Sequence, residues 1–354
     1  MDAGPSDGTD GLVSPRGGRW ARLLPLAVAC LLFIWCGSWV LASAVFAVSR
    51  PLAWPIDVGA SVVPQVAFVS LVVGAVFVLR GRWRAGLICG AGWLVGLAAF
   101  VPGRAWTTGE AVRPEQTVRV AVVNAHGDSG DEAKLRALLE RDDLDAIALL
   151  ETPFWLVGEL KAGAWRSRYP QHWLSDAANT GFPVLLTKWR QHEIETLSEG
   201  AHRVAKPPGH ETILARPGGA FGLTVFHPRS PRSPARWRLA HELVDLVIAR
   251  QREHIVDRGI PMVLMGDLNS PPSALHSRRV TGALDGRRAK PLLAATGTFP
   301  TMLPWPARVA IDDVIVGAGV RVVGWETADV GSDHKAVIVT LEVPLGRGPS
   351  LRSD

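Results

Sequence analysis

The chain contains 354 residues, of which 47% are hydrophobic and 20% are charged, and its formal net charge is +5. So large a hydrophobic fraction excludes an intrinsically disordered chain, and only three cysteines exclude a disulfide framework. The mean hydropathy of +0.16 is high for a wholly soluble protein and indicates an uneven distribution of apolar residues.

The charge is also unevenly distributed. The first 110 residues contain eight arginines, no lysine and five acidic residues, together with all three cysteines. The remainder therefore holds 30 basic and 28 acidic residues. A nearly neutral segment of this kind offers no general electrostatic argument for nucleic-acid binding.

Three long uncharged runs predict a membrane domain over residues 23–101. The runs cover 23–48, 58–79 and 85–101, and a helix needs roughly 20 apolar residues to cross a bilayer. Two alternatives are a cleaved signal peptide in the first run and a buried hairpin in the other two. The length of the first run disfavours the former, and the arginine-rich turn between the other runs disfavours the latter. We therefore predict three transmembrane helices.

Arginines predict the orientation of these spans. They precede the first span and separate the second from the third, at Arg16, Arg19, Arg22, Arg80, Arg82 and Arg84. Positive residues are retained in the cytoplasm. We therefore expect a multi-pass protein of the cell membrane, with the lipid bilayer as a partner. Its disordered tail 1–22 is expected to be cytoplasmic and everything after the third span extracytoplasmic.

The rest of the chain predicts one α/β domain over 118–345, preceded by a linker (102–117) and followed by a disordered tail (346–354). Amphipathic periodicity predicts helices at 131–141 and 235–254. Apolar runs predict strands at 118–124, 144–151, 182–187, 211–217, 221–227, 261–267, 310–316, 321–328 and 335–343.

Polar side chains stand at the ends of these strands. They are Asn124, Glu151, His227, Asp267 and Asn269, with Asp333 and His334 directly before the last strand. Carboxylate and amide oxygens suit Mg²⁺, whereas the absence of a His and Cys cluster disfavours zinc. Taken singly, each of these residues also fits an ordinary turn or a solvated strand end.

The order of these motifs resembles the endonuclease/exonuclease/phosphatase superfamily, which includes relatives of DNase I, neutral sphingomyelinases and inositol-polyphosphate 5-phosphatases. The matching strings are VVN (122–124), ALLE (148–151), His227, MGDLNS (265–270), AID (310–312) and GSDH (331–334). The resemblance implies a four-layer αββα sandwich. It also implies hydrolysis of phosphoester bonds with Mg²⁺, or Mn²⁺ in its place.

The resemblance further implies the role of each residue at the metal. Asn124 and Glu151 are similar to the family's metal-site residues, with Glu151 as the direct ligand. Asp333 is similar to an acid on the metal side of the catalytic set. The chain departs from the pattern in two places. Asp313 stands where relatives often have an aromatic residue, and many members carry a second Asn shortly after Asn124, where this chain has only His126 or Asp128 without a firm family role.

Five residues carry the catalytic roles that the resemblance implies. Asp267 orients or deprotonates the attacking water, and Asn269 donates its amide to a phosphate oxygen. Asp312 orients His334, which contacts the phosphate in transfer, and His227 is a further phosphate contact. Such chemistry relies mainly on positioning and charge neutralisation.

A basic stretch follows His227, with arginines at 229, 232, 236 and 238. Two interpretations stay open: it binds an anionic substrate or lipid head group, or it is a solvated proline-rich loop.

Three N-terminal spans joined to such a domain resemble the membrane-anchored VanJ-type members, which are linked to glycopeptide resistance. Tethering raises the effective concentration of a membrane substrate, so a lipid-linked phosphate or pyrophosphate of the cell envelope is the leading hypothesis. The alternatives are an exported, membrane-tethered nuclease acting on nucleic acid, which the neutral charge disfavours, and a non-catalytic binding module.

Overall fold

The computed structural model describes residues 20–99, 113–174, 183–197, 209–217, 219–253, 258–283, 286–291 and 297–344. Most of the two predicted tails and of the predicted linker lies outside these residues. Within them, an N-terminal helical module precedes a two-sheet α/β domain.

The helical module differs from the predicted set of three straight spans. Its helices are α1 (Trp20–Cys36), α2 (Ser38–Val48), α3 (Arg50–Ala60), α4 (Val63–Leu79) and α5 (Trp83–Ala98). No single helix in the described part is long and apolar enough to cross a membrane. The pairs α1–α2 and α3–α4 satisfy that test together but bend by 55° and 54°, and α5 is a shorter apolar helix.

Local sequence explains both breaks. Gly37 separates α1 from α2, and glycine is a weak helix former. Pro64 lies in the first turn of α4 and has no N–H to donate to the carbonyl of Ala60, where α3 ends, so the two helices cannot continue as one regular helix. Residues 49–57 lie between the first two predicted spans, and the prediction of a loop there is wrong because residues 50–57 belong to α3.

Small residues fill the contacts among α1, α4 and α5. A Cβ added to Gly74 would lie 2.9 Å from the Cβ of Cys89, and the Ser70 hydroxyl donates to the Cys89 carbonyl at 2.9 Å. Large apolar side chains such as Leu71 and Val72 are exposed on the outside. The module thus places small residues inside and large apolar ones outside.

The α/β domain contains two six-stranded sheets and four helices in the described residues. The strands are β1 (Thr117–Asn124), β2 (Ala146–Leu150), β3 (Gln171–Trp173), β4 (Val184–Thr187), β5 (Arg190–Leu197), β6 (Gly209–Arg216), β7 (Gly219–Phe226), β8 (Met262–Asp267), β9 (Arg287–Arg288), β10 (Asp312–Val316), β11 (Arg321–Asp329) and β12 (Lys335–Glu342). The helices are α6 (Glu132–Leu139), α7 (Phe154–Ala162), α8 (Pro234–Arg252) and α9 (Leu275–Ala283).

The predicted two-sheet fold is confirmed, and its layers follow from three apolar cores. The sheets have the orders β11-β12-β1-β2-β4-β3 and β5-β6-β7-β8-β10-β9. One core lies between the sheets, a second under α6 and α7, and a third under α8 and α9. Strands β3, β5 and β9 and helices α7 and α9 were not predicted from the sequence.

Helix α3 is docked on the α/β domain through a buried carboxylate. Asp57 accepts hydrogen bonds from the Trp237 indole at 2.8 Å and from the backbone N–H of Leu275 at 2.6 Å. Leu275 begins α9, so the carboxylate caps an N-terminus that favours negative charge. The Trp54 indole adds a bond to the Pro231 carbonyl at 3.0 Å.

Candidate active site

Strand topology brings the predicted site residues to one edge of the sandwich. Asn124 ends β1, and Glu151 follows β2, which runs parallel to β1. Asp267 ends β8 and lies opposite Asp312, the first residue of the antiparallel β10. The two sheets therefore deliver their polar ends to a common place, as expected from the sequence.

A cavity of about 420 Å³ opens at this edge. Its polar lining includes His126, Glu151, Asp267, Asn269, Asp333 and His334. Asn124 and Asp312 are buried behind it, and His227 contacts the same carboxylates. All eight predicted site residues are thus brought together.

The Asn124 side chain joins two of the acids. Its amide nitrogen donates to Glu151 Oε1 at 3.2 Å and to Asp267 Oδ2 at 3.1 Å, while its oxygen accepts from the backbone N–H of His126. His227 Nε2 lies 3.7 Å from Glu151 Oε1 and 3.6 Å from Asp267 Oδ2. Asn124 therefore positions the carboxylates, and direct ligation of a metal by it stays a prediction.

His334 is paired with Asp312, as the resemblance implied. Its Nδ1 donates to Asp312 Oδ2 at 2.9 Å, and its Nε2 lies 4.0 Å from Asp267 Oδ2. Burial alone would lower the pKa of His334, but the carboxylates of Asp312, Asp267 and Asp333 outweigh it and raise this pKa to about 9. At neutral pH the ring is therefore an imidazolium with one N–H directed toward the cavity.

Three non-glycine residues of the site have left-handed backbone conformations: His126 (φ 55°), Glu151 (φ 47°) and Asn269 (φ 48°). Such conformations cost free energy and persist where the surrounding structure imposes them. The Asn269 N–H donates to Asp267 Oδ1 at 2.7 Å, and its side-chain amide donates to the Pro228 carbonyl at 2.9 Å. In this structure the Asn269 amide is engaged there, so its contact with a phosphate oxygen stays a prediction.

Two glycines of the motifs are required by close backbone contacts. A Cβ on Gly266 would lie 1.8 Å from the Phe226 carbonyl oxygen, between the paired strands β7 and β8. A Cβ on Gly331 would lie 2.1 Å from the Asp131 Cβ, and the φ of Gly331 is +72°. Gly266 therefore allows the ends of β7 and β8, which lead to His227 and Asp267, to lie close together, and Gly331 allows the segment before β12 to contact the start of α6 at Asp131.

The donor set fits a hard divalent cation. Glu151, Asp267 and Asp333 present carboxylates to an open cavity, and Mg²⁺ prefers oxygen ligands while retaining several waters. A cation would also offset the repulsion among these acids and Asp312. Glu151 and Asp333 are the residues that would hold it, and Mn²⁺ accepts the same ligand types.

The structure adds residues that sequence reasoning did not place in the site. His126 Nδ1 lies 2.5 Å from Asp333 Oδ1, and its position beside a strand-end Asn and a glycine was the available signal. Val58 and Ser61 from the N-terminal helices also line the cavity. Arg232, in the basic stretch for which binding of an anionic substrate was one of the two interpretations, lines it too. Asp313 instead pairs with buried Arg288, which gives it a structural role.

A second group of Asp and His side chains does not have the lone pairs of a metal centre. Asp57, His241 and His276 lie close together under α3. His241 Nδ1 accepts from Arg279 Nη1, so its proton is on Nε2. Only Asp57 and His276 then offer free acceptors, and we assign the group to the docking of α3.

The fold and this site define a class of protein, and comparison with known proteins agrees. Residues 121–334 match the Endonuclease/Exonuclease/phosphatase family, and the chain belongs to it. The protein is accordingly a metal-dependent hydrolase of phosphoester bonds. No curated protein matches the chain.

Solved structures share the fold. A family member from Bacteroides vulgatus is 18% identical with a TM-score of 0.51, over 64% of this chain and 99% of that one. A functionally unknown conserved protein from Enterococcus faecalis V583 is 17% identical with a TM-score of 0.51, over 64% and 100% of the two chains. The human Nocturnin catalytic domain with bound sulfate anion is 14% identical with a TM-score of 0.51, over 65% and 95%.

Proposed function

We propose that the protein is a membrane-anchored phosphoesterase that hydrolyses a phosphate ester or anhydride of a lipid-linked substrate at the outer membrane face. One observation carries this proposal. The cavity that holds His334 and Asp267 is walled on another side by Val58 and Ser61 of the N-terminal helical module. The catalytic residues and the N-terminal helical module therefore line the same cavity.

The chain's own residues account for the chemistry of the site. Asp267 is a buried acceptor whose Oδ1 is fixed by the Asn269 N–H, so it is suited to orient an attacking water. The His334 imidazolium, held by Asp312, donates its Nε2–H to a phosphoryl oxygen and stabilises the charge that develops there. A bound divalent cation would neutralise phosphate charge and favour departure of the leaving group.

The packing of the helical module supports anchorage in a membrane. Helices that associate in lipid place small residues at their contacts, as Gly74, Ser70 and Cys89 do here. Their outward faces carry large apolar side chains, which is the pattern expected when the surrounding solvent is hydrocarbon. With the arginine distribution, this supports an extracytoplasmic catalytic domain.

The lining of the cavity supports an amphiphilic substrate over nucleic acid. Phe299, Val309 and Ile311 add apolar surface to that of Val58. Among the described residues that line the cavity, Arg232 is the one lysine or arginine, whereas single-stranded nucleic acid is bound by basic grooves with stacked aromatic residues. The VanJ-type assignment and the link with glycopeptide resistance stay predictions.

The test uses the full chain in detergent and in liposomes with a panel of phosphoesters. The panel contains a polyprenyl diphosphate, bis(p-nitrophenyl) phosphate and plasmid DNA, each with Mg²⁺, Mn²⁺ or a chelator. We expect turnover of the polyprenyl substrate that the chelator abolishes. Loss of an essential charged or donor group from such a site lowers kcat by about 10²–10³-fold, so Glu151→Ala and His334→Ala should fall by at least that much.

Asp142→Asn is the matched control, because the Asp142 side chain is 96% exposed on the same domain. It should keep the parental rate. Nicking of DNA without turnover of the lipid would establish the nuclease instead. If no substrate is turned over and Mn²⁺ does not bind, the result would favour the alternative that the domain is a non-catalytic binding module.

A further inference from the structure

A loop beside the cavity carries most of the exposed large apolar side chains of the α/β domain. Met302 is 81% exposed, Trp305 52% and Leu303 38%, and all three lie within four consecutive residues. In the described part of this domain, the other two such side chains, Phe154 and Ile194, lie on separate elements. Contiguous apolar surface on a soluble domain marks an interaction site.

The loop is held rigidly in this arrangement. The Arg308 guanidinium donates to the Leu303 carbonyl at 2.6 Å and to the Thr301 carbonyl at 2.7 Å. The Thr301 N–H and hydroxyl bind the carbonyls of Asp333 and Ser332, at 2.8 and 2.9 Å. With its backbone fixed in this way, the loop directs Met302, Leu303 and Trp305 outward.

The loop lies next to the outer end of α4. The Gln65 amide donates to the Arg308 carbonyl at 2.9 Å, and Gln65 lies in the first turn of α4. One turn further along, Phe68 and Val69 are exposed on a surface assigned to lipid. The apolar loop is thus adjacent to the place where that lipid-facing surface begins.

The same loop leads into the catalytic centre. The ring of Phe299, just before it, packs on the His334 imidazole with centroids 4.6 Å apart. Val309 and Ile311, just after it, line the cavity. A surface that contacts the loop is therefore close to the mouth of the active site.

We propose that Met302, Leu303 and Trp305 insert into the outer lipid leaflet beside α4, so that the cavity opens at the lipid surface. The inference rests on the proposed membrane anchorage. Aromatic and apolar side chains of this kind bind the boundary between head groups and acyl chains. The occupant of this surface is thus the bilayer that holds the helices.

The test places an environment-sensitive nitrobenzoxadiazole label on single cysteines in the full chain. Cys30, Cys36 and Cys89 are first replaced by alanine, and cysteine is introduced by Met302→Cys, Leu71→Cys or Asp142→Cys. Each protein is reconstituted in phosphatidylcholine–phosphatidylglycerol vesicles with and without doxyl-labelled lipid. We expect blue-shifted emission and lipid-dependent quenching at positions 302 and 71, and neither at position 142.

The possible results distinguish insertion of the loop from anchorage of the N-terminal helices. A label at 302 that behaves like the one at 142, while the one at 71 is quenched, would refute insertion of the loop and leave the anchor standing. An unquenched label at 71 would refute the anchorage. A blue-shifted label at 302 without lipid quenching would indicate contact with protein and overturn the proposal.

A second measurement uses activity. The triple variant Met302→Ser, Leu303→Ser, Trp305→Ser should lose about fivefold or more in kcat/KM on a polyprenyl diphosphate in vesicles, since interfacial binding scales with buried apolar area. Its rate on soluble bis(p-nitrophenyl) phosphate should stay within about twofold of the parent. An equal loss on both substrates would show that the loop acts on folding or catalysis and not on lipid.

Discussion

Glu211 is a buried acid away from the catalytic site. One carboxylate oxygen accepts from the Thr224 hydroxyl at 3.2 Å, and that hydroxyl accepts from the Gln251 amide at 2.9 Å. Burial raises the pKa of Glu211 to about 7, against the lowering effect of the Thr224 bond. Between about pH 4.5 and pH 7, the folded protein therefore retains a proton on Glu211, whereas the unfolded chain, in which this group has its ordinary pKa of 4.5, releases it.

This difference predicts how stability depends on pH. The contribution of Glu211 is fully present below about pH 4.5 and is lost as the pH rises through about 7, because between these values the unfolded chain releases the proton while the folded protein still holds it. Glu211→Gln keeps the acceptor for Thr224 and removes the charge. We expect the variant to be more stable than the parent at pH 8, by on the order of 2–3 kcal/mol, with little difference near pH 4.5.

Thermal unfolding of the full chain in detergent at both pH values measures the effect. Glu140→Gln is the control, since Glu140 is exposed and should give no pH-dependent gain. A Glu211→Gln variant with the same Tm difference from the parent at pH 4.5 and pH 8 would contradict the prediction.

At the scale of single residues, the sequence predicts which side chains form the site but not how each is used. Asp267 and His334 are recognised because short motifs with glycines fix their backbone. The use of Asn124 and Asn269 depends on which neighbour each amide meets, and His126 depends on a left-handed conformation. Local sequence does not encode these features, since they arise when distant strand ends meet.

Among the elements, α3 is the one whose role the sequence concealed. Asp57 lies between two of the predicted spans, but it is buried against α8 and α9. Hydropathy detects apolar runs and not the partner that a short amphipathic helix meets. Most of the strands, in contrast, were predictable because a buried strand is a short apolar run in any context, although β3, β5 and β9 were not predicted.

The docking of α3 predicts a graded response to mutation. Asp57→Asn replaces one acceptor by an N–H donor that faces the Trp237 indole or the Leu275 N–H, so it should cost about 1–3 kcal/mol. For a chain of this size, that corresponds to an apparent Tm lower by a few degrees, about 2–4 °C per kcal/mol. Thermal unfolding in detergent is the measurement.

Trp237→Phe is the companion variant, because it removes one donor and retains most of the ring. It should be less destabilising than Asp57→Asn if the carboxylate is what holds α3. The reverse order would show that aromatic packing holds the helix and that the hydrogen bonds are secondary.

For the molecule as a whole, the two ends of α4 give the orientation a physical basis. Gln65 at one end contacts the α/β domain, and the arginine-rich turn follows the other end. The 17 residues of α4 separate these two points by about 25 Å, and α4 satisfies the length and hydropathy test for a membrane span only together with α3. Under the proposed anchorage, the catalytic domain and the arginines would therefore lie on opposite sides of the membrane.

This arrangement predicts the outcome of reporter fusions. Alkaline phosphatase fused after Asp354 should be active and green fluorescent protein at the same point dark, because the proposed topology exports the domain. Fusions after Arg82 should give the opposite pattern, since positive residues remain in the cytoplasm. A fluorescent fusion after Asp354 would contradict the proposed topology.

The bonds from Asp57 and Trp54 to the α/β domain also determine how the enzyme would search for substrate. A catalytic domain on a long flexible tether samples the volume around its anchor, whereas one fixed to its helices at α3 moves only as the helices move. Under the proposed anchorage, encounter becomes lateral diffusion in two dimensions. The rate should then follow the mole fraction of substrate in the enzyme's own leaflet, and lipids of a facing membrane should be out of reach.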